Sequence, residues 1–310
     1  MTTLVYTHDD CYAHQPGEHH PESPQRLKAV LDALRAPEFT GVQWREAPLG
    51  TVEQLLLVHA PEYVDNVRDV APRRGTYALD AGDTVMSPGT WNAVMRCVGA
   101  ACDAVDEVAA GRARNAFCAT RPCGHHAEAD RAMGFCVFNQ AAIAALHARQ
   151  QHGLQRVAVV DFDVHHGNGT QHSFWHDPDL FYGSCHQYPF YPGTGSTQER
   201  GVAGNIVNVP LPRDTDSTVF RERMSAELLP ALRHFAPELL IISAGFDAHE
   251  LDPLGSLAFT DDDYHWITRE LMAAADASAQ GRVVSVLEGG YSLQALGSAS
   301  AAHVRALMRH

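Results

Sequence analysis

Two carboxylates and two imidazoles directly follow a run of apolar residues in "VAVVDFDVHHGNGTQ", residues 157–171. Asp163 and His165 are two positions apart, which places both side chains on the same face of an extended segment. A third ligand must come from elsewhere in the chain, and Asp247 in "GFDAH" is the best candidate. Two carboxylates and one imidazole with an open fourth position suit a catalytic Zn²⁺ or Fe²⁺ ion. A structural cluster of ion pairs or helix caps is the alternative.

A second histidine pair, His125 and His126, follows a short apolar run in "RPCGHHA". An imidazole, whose usual pKa is close to neutral pH, can take a proton from a water bound to a metal. Each ring needs a partner on its far nitrogen, and Asp161 and Asn168 are the available groups. Tyr291, after the two glycines of "LEGGY", can donate a hydrogen bond to a developing oxyanion. The alternatives are two surface histidines and a tyrosine that only packs.

The elements that must position these residues alternate between strand and helix. Predicted strands cover residues 3–7, 42–47, 115–120, 156–163, 180–185, 205–210, 238–246 and 282–289. Predicted helices cover residues 23–35, 88–111, 137–153, 217–235, 260–281 and 292–310. This alternation predicts an α/β fold, a parallel sheet with helices on both faces, in a single domain over residues 1–310. Ligands of such sheets bind beyond the carboxyl ends of the strands.

The segments that follow the strands support a site at that edge. Polar, metal-competent or glycine-rich residues follow five strands, after residues 120, 161, 185, 243 and 288. If the sheet is parallel, these segments converge on one rim. The convergence is the strongest signal that the residues themselves provide.

Composition excludes several classes of partner. The chain has 310 residues, 45% of them apolar, and a net charge of −14. This charge argues against nucleic acid or an anionic membrane as the main partner and favours a cationic substrate. Seven scattered cysteines without a CxxC motif indicate a reducing compartment. The N-terminus does not resemble a signal peptide and no apolar run is long enough to span a membrane, so we expect a cytoplasmic protein. The oligomeric state is left open.

Seven stretches of the chain resemble the histone deacetylase family. They are "HHPESPQRL" (19–27), "RPCGHHA" (121–127), "GFCVFN" (134–139), "VVDFDVHHGNGTQ" (159–171), "YPFYPGTG" (188–195), "SAGFDAHELDPL" (243–254) and "LEGGY" (287–291). They occur in the family's order and span nearly the whole chain. The resemblance implies the arginase–deacetylase fold, with a central eight-stranded parallel sheet in one catalytic domain. "HHGNGTQ" is similar to the class II branch and its bacterial relatives.

The resemblance also implies roles for individual residues. The zinc ligands of the family match Asp163, His165 and Asp247. Its catalytic residues match His126 as general base and then acid, His125 as an electrostatic partner, and Tyr291 as the group that polarises the carbonyl. The partners of the two histidines match Asp161 and Asn168.

Further positions match a substrate tunnel and a second cation site. The walls of an apolar tunnel for an acyl-lysine chain match Gly134, Phe135, Tyr191 and Leu254, and Asp83 is the candidate rim acid. The carbonyl of Gly134 would face the amide N–H of the substrate. A structural potassium site matches Asp161, Asp163, His165, Ser184 and Cys185. Cys123 departs from the family pattern beside the catalytic histidines, where it is either a small filler or an oxidation-sensitive thiol.

The implied activity is zinc-dependent removal of an acyl group, in particular acetyl, from the ε-amine of lysine in proteins or peptides. Acetylpolyamine amidohydrolase is the main alternative, because the acidic chain suits a cationic polyamine. A dimanganese ureohydrolase needs further acids where Gly167 and His249 stand. A non-catalytic module that binds acyl groups would typically have lost a ligand, the base or the tyrosine, and this chain has them all.

Overall fold

The computed structural model describes residues 2–308, which build one eight-stranded sheet flanked by helices. The strands are β1 (Thr3–Thr7), β2 (Gln43–Glu46), β5 (Asn115–Cys118), β6 (Val157–Asp161), β7 (Leu180–Gln187), β8 (Ile206–Leu211), β9 (Leu239–Ala244) and β10 (Val283–Leu287), with a separate antiparallel pair β3 (Tyr77–Ala78) and β4 (Val85–Met86). The sheet order is β2-β1-β5-β10-β9-β6-β7-β8, and every neighbouring pair is parallel. This confirms the predicted parallel α/β architecture, and each predicted strand supplies one strand of the sheet.

Burial follows the position of each strand in the sheet. Every residue of β6, β9 and β10 is buried, because helices cover both faces of these central strands. All four residues of the edge strand β2 are exposed. The near-continuous apolar runs of the sequence therefore mark the middle of the sheet.

Residues 2–308 contain ten α-helices. They are α1 (Pro24–Leu34), α2 (Val52–Leu55), α3 (Pro61–Asp69), α4 (Thr90–Ala109), α5 (Gln140–His152), α6 (Asn168–Phe174), α7 (Ser217–Arg223), α8 (Leu229–Phe235), α9 (Asp261–Ser278) and α10 (Leu293–Met308). One face of the sheet packs against α1 and α7–α10, the other against α4 and α5. Among the described helices, none combines the length and the apolar character needed to cross a bilayer.

The helix boundaries differ from the predictions at identifiable residues. The predicted helix 217–235 is divided by a π-helical turn, Met224–Leu228. Pro230 explains the division, because it has no N–H to donate to an α-helical carbonyl. The predicted helix 292–310 forms α10, and residues 309–310 lie outside the described part. The predictions missed α2, α3, α6 and the β3–β4 pair, which are short and lack a long apolar pattern.

Candidate active site

The loops after four neighbouring strands meet at the carboxyl edge of the sheet. The strands β5, β10, β9 and β6 are adjacent in the sheet and parallel, so their carboxyl ends lie side by side. The predicted site residues that follow these strands are His125 and His126 after β5, Asp163 and His165 after β6, Asp247 after β9 and Tyr291 after β10. The sheet therefore gathers residues that are distant in sequence at one place.

The metal-competent atoms of three side chains face one another, those of Asp163, His165 and Asp247. The Nδ1 of His165 lies 3.1 Å from Asp163 Oδ1 and 3.1 Å from Asp247 Oδ2. The other oxygen of each carboxylate is held by a backbone N–H: Val164 N donates to Asp247 Oδ1 at 2.8 Å, and Gly289 N donates to Asp163 Oδ2 at 2.8 Å. These bonds orient the carboxylates so that one oxygen of each faces His165.

Gly289 has no side chain for a steric reason. A Cβ at this position would lie 2.2 Å from Asp247 Oδ2 and 2.5 Å from Asp163 Oδ2. The first residue of the glycine pair in "LEGGY" thus allows the backbone to approach the carboxylates and donate to one of them. This close approach explains Gly289, whereas Gly290 has φ +124°, a backbone conformation that favours glycine.

The charges of the cluster suit a divalent cation. Burial and the charge of Asp163 raise the pKa of Asp247 to about 7, because two carboxylates share a space from which water is excluded. Burial opposes protonation of His165, but Asp163 and Asp247 raise its pKa to about 10. One imidazole nitrogen and two carboxylate oxygens, all within 4.8 Å of one another, form a donor set that fits Zn²⁺ or Fe²⁺.

His125 and His126 have different partners on their Nδ1 atoms. His125 Nδ1 lies 2.9 Å from Asp161 Oδ2, and His126 Nδ1 lies 2.8 Å from Asn168 Oδ1. Burial lowers the pKa of His126, and the nearby His125 and His165 lower it further. Burial also opposes protonation of His125, but the charges of Asp161 and Asp163 raise its pKa well above the usual value. The pair therefore holds one imidazolium and one neutral imidazole at neutral pH.

Asn168 is itself held by two acceptors. Its Nδ2 donates to the main-chain oxygen of His126 at 3.1 Å and to the carboxylate of Glu128. Glu128 also accepts from His172 Nδ1 at 2.7 Å. With the Nδ2 so engaged, the Oδ1 of Asn168 faces His126 and accepts its Nδ1–H. The Nε2 of His126 is then left unprotonated.

The loop that carries Tyr291 is fixed from both sides. Asp252 Oδ2 accepts from the backbone N–H of Tyr291 at 2.6 Å. Arg26, fully buried, donates from Nε to Gly290 O at 2.6 Å, and its guanidinium lies 4.9 Å from the centre of the Tyr291 ring. Burial raises the pKa of Tyr291 well above its usual value, so the phenol keeps its proton.

A cavity of about 140 Å³ opens above these residues. The residues around it include every predicted wall residue and three residues of the candidate active site, His126, His165 and Tyr291; the full set is Asp83, His126, Gly134, Phe135, His165, Tyr191, Leu254 and Tyr291. Gly134 has φ +56°, and a Cβ there would lie 2.5 Å from the ring of His126, so only glycine fits beside the histidine. Asp83 is exposed at the rim, where partial burial and the neighbouring Asp80 raise its pKa to about 6.

Cys123 lies beneath this wall rather than in the cavity lining. Its Sγ is 3.3 Å from the Sγ of Cys136, and both side chains are buried. The thiol of Cys136 donates to the carbonyl of Gly134 at 3.3 Å, and Cys123 Sγ lies 3.8 Å from the same oxygen. The role of that carbonyl toward a substrate N–H, and the oxidation sensitivity of Cys123, stay predictions.

The predicted potassium ligands lie where β6 and β7 pair. Asp161 is the register partner of Ser184, whose Oγ lies 2.9 Å from His186 Nδ1. The carboxylate of Asp161 also accepts from Tyr182 OH at 3.0 Å and from Asp163 N at 3.1 Å. Together with His125, these donors compensate the buried charge of Asp161 at the end of β6.

A set of buried charged residues beneath the site was not predicted from the sequence. They are Glu22, Arg26, Arg121, Glu128, Asp252 and Glu288. Arg121 donates from Nε to Glu22 Oε1 at 2.7 Å, and Glu288 Oε2 accepts from Gly124 N at 2.7 Å. All except Glu128 lie within the stretches that carry the family resemblance, so the signal was present, but composition and spacing did not indicate which partners they have.

Comparison with known proteins gives consistent matches over the whole chain. A model of the histone deacetylase domain matches residues 20–307. "Histone deacetylase 14, chloroplastic" of Arabidopsis thaliana is 38% identical over 325 residues, covering 98% of this chain and 76% of that protein. "Polyamine deacetylase HDAC10" of Homo sapiens is 38% identical over 328 residues, covering 99% of this chain and 48% of that protein. The crystal structure of the HDA15 HD domain superposes with a TM-score of 0.92 at 34% identity, over 99% of this chain and 89% of that one.

Proposed function

Because this chain belongs to the histone deacetylase family and is a hydrolytic deacetylase, we propose that it removes acyl groups, chiefly acetyl, from the ε-amine of lysine in proteins or peptides. The whole of residues 1–310 acts as one catalytic domain in this proposal. Its ion is held by Asp163, His165 and Asp247, with Zn²⁺ as the cofactor and Fe²⁺ as a second ion that suits the same donors. The observation that carries the proposal is the convergence of these three ligands, His126 and Tyr291 at one cavity.

The roles of the catalytic residues follow from their partners. When bound, the ion supplies Lewis acidity, which lowers the pKa of a water and polarises the substrate carbonyl. The Nε2 of His126 accepts a proton from the attacking water, because Asn168 fixes the hydrogen on Nδ1. His126 then returns the proton to the leaving amine. His125, paired with Asp161, stays protonated and contributes its charge.

Tyr291 stabilises the oxyanion that forms as the carbonyl carbon becomes tetrahedral. Its hydroxyl keeps its proton and donates a hydrogen bond to that oxygen. Asp252 and Arg26 position the loop and thereby the hydroxyl. These two are positioning residues, since they act through Tyr291.

The cavity suits the apolar stem of an acylated lysine. Phe135, Tyr191 and Leu254 line its walls, and Asp83 lies at its rim. A structural K⁺ ion at Asp161, Asp163, His165, Ser184 and Cys185 is part of the proposal, supported by the family resemblance. A cytoplasmic location is also part of the proposal, and it is supported by the seven cysteines, which are all free thiols.

An acetylated polyamine is the second candidate substrate. The net charge of −14 and the exposed Asp83 at the rim favour a cationic ligand, and one relative is named a polyamine deacetylase. A dimanganese ureohydrolase is disfavoured because Gly167 and His249 replace the acids that it needs, and His249 Nε2 lies 3.5 Å from Asp261 instead of in the metal cluster. A non-catalytic acyl-binding module is disfavoured because the ligands, base and tyrosine are all retained.

Parallel turnover of an acetyl-lysine peptide and N-acetylputrescine tests the proposal. We expect the zinc-loaded protein to have the higher kcat/KM for the peptide, and Asp247→Ala to lose both the zinc and this activity. A higher kcat/KM for N-acetylputrescine would transfer the proposal to polyamines. Hydrolysis of neither substrate by the zinc-loaded protein would overturn it.

A further inference from the structure

Three metal-competent side chains lie together at the opposite edge of the sheet. They are Asp106 on α4 and His147 and His152 on α5. The C-terminus of α4 leads into the amino end of β5, and that of α5 leads into the amino end of β6. The cluster therefore lies at the amino edge of the sheet, whereas the candidate active site lies at the carboxyl edge. Neither the sequence motifs nor the proposed function uses these residues.

Both imidazoles lie within hydrogen-bonding distance of the same carboxylate oxygen, Asp106 Oδ1. His147 Nε2 lies 2.8 Å and His152 Nε2 lies 2.6 Å from Asp106 Oδ1. Arg112 also contacts Asp106, but it donates to the main-chain oxygen at 3.4 Å and leaves the carboxylate to the imidazoles. A single protonated histidine would be enough to neutralise this carboxylate, so the second imidazole is in excess of what an ion pair needs.

We propose that Asp106, His147 and His152 bind a divalent transition-metal ion, such as Zn²⁺, that links the ends of α4 and α5. Two imidazole nitrogens and one carboxylate oxygen are ligands suited to zinc, copper and nickel and poorly suited to calcium or magnesium. Tetrahedral zinc keeps such donor atoms about 3.3 Å apart, so the two N···O separations need to widen by only about 0.5–0.7 Å.

The surroundings favour a cation with an accessible side. Asp106 and His152 lie in the last turns of α4 and α5, where the partial negative charge of each helix end attracts positive charge, and His147 lies in the turn before. The side chain of His147 is 8% exposed, that of His152 25% and that of Asp106 38%. The protein would thus enclose the ion on one side and leave the other side open to solvent. Water molecules on the open side would complete its coordination. The packing of α4 against α5 through a buried layer of alanine and valine already holds the ligands near one another.

Zinc stoichiometry tests the proposal independently of catalysis. The full-length protein would be dialysed to equilibrium against buffered Zn²⁺, and bound zinc per chain would be measured for the wild type, Asp106→Asn, His152→Ala and His234→Ala. His234 is the matched control, an exposed histidine on α8. We expect the wild type and His234→Ala to bind one zinc ion more than the two cluster variants. Because only the difference counts, the result does not depend on occupancy of the active site.

Titration gives a second readout. We expect the affinity for the additional zinc ion to fall at least about tenfold in each cluster variant, since loss of a group that only orients a ligand already costs about 10–100-fold. Added Zn²⁺ should raise the Tm of the holoprotein, and the rise should be absent in Asp106→Asn and His152→Ala. Equal stoichiometry in the wild type and the cluster variants, or retention of the additional ion by either variant, would overturn the proposal.

Discussion

Replacing Tyr291 with phenylalanine should remove one hydroxyl and leave its surroundings in place. The backbone N–H of Tyr291 would still bind Asp252, and the ring would still lie 4.9 Å from the Arg26 guanidinium and 5.9 Å from the centre of the Phe135 ring. The change therefore isolates the hydrogen bond to the oxyanion. Loss of one such donor costs about 2.7–4 kcal/mol in the transition state, or roughly 10²–10³ in kcat.

The assay is steady-state hydrolysis of an acetyl-lysine peptide by the zinc-loaded wild type and variant. We expect kcat to fall by roughly 10²–10³ and KM to change little, because the hydrogen bond forms mainly in the transition state. Tyr191→Phe is the matched control. It removes a hydroxyl from the wall of the same cavity, at a residue without a catalytic role, and its kcat should be nearly unchanged.

Two further measurements make the comparison decisive. The Tm and the zinc content of Tyr291→Phe should equal those of the wild type, since neither packing nor the metal ligands change. A kcat near that of the wild type would refute the role of Tyr291 in the mechanism. An equal loss in Tyr191→Phe would refute the assignment of the oxyanion donor to one tyrosine.

Three other substitutions test separate parts of the account. Asn168→Leu removes the acceptor that keeps the hydrogen of His126 on Nδ1. The kcat should therefore fall by roughly 10²–10⁴, the usual contribution of a general base, while the zinc content stays unchanged. An unchanged kcat would contradict this role of Asn168. Cys123→Ala should keep nearly full kcat. If Cys123 is a filler, peroxide should inactivate the variant and the wild type equally. Slower inactivation of the variant by peroxide would identify Cys123 as an oxidation-sensitive thiol. His303 is buried between Thr268 and Ser285, and burial lowers its pKa to about 3. Below about pH 6.5 this histidine is therefore protonated in the unfolded chain but stays neutral in the folded chain. Its contribution to stability is therefore present at neutral pH and falls by about 2 kcal/mol between pH 7 and pH 5. Chemical unfolding of the wild type and His303→Gln at both pH values should show their stability difference shift by that amount, and parallel pH curves would contradict it.

The middle of the sheet was predictable from the chain because its strands are short apolar runs bounded by turn residues. β6, β9 and β10 are buried on both faces, and their sequences are accordingly almost entirely apolar. The short helices α2 and α3 and the β3–β4 pair were not predicted. The two helices pack on the outside of α4, and even α3, which has an apolar face, is only nine residues long. The strands β3 and β4 have two residues each, too few to show a period. The division at Pro230 had a local signal in the proline itself.

The gathering of the site residues was predictable for a related reason. His126, Asp163 and Asp247 each follow a strand, and parallel strands bring such residues to one edge. The supports beneath them were not predictable from spacing. The ion pair between Glu22 and Arg121 joins residues that are 99 positions apart, and burial alone reveals that it is structural. The paired thiols of Cys123 and Cys136 likewise became visible only when the loops were placed together.

All of the proposed chemistry depends on one divalent ion shared by Asp163, His165 and Asp247. Anomalous diffraction at the zinc edge, from crystals of the zinc-loaded and active protein, measures this most directly. We expect an anomalous peak about 2.0–2.2 Å from one oxygen of each aspartate and from His165 Nδ1. Active crystals with no zinc peak at these three side chains, or with the ion bound by other residues, would contradict it.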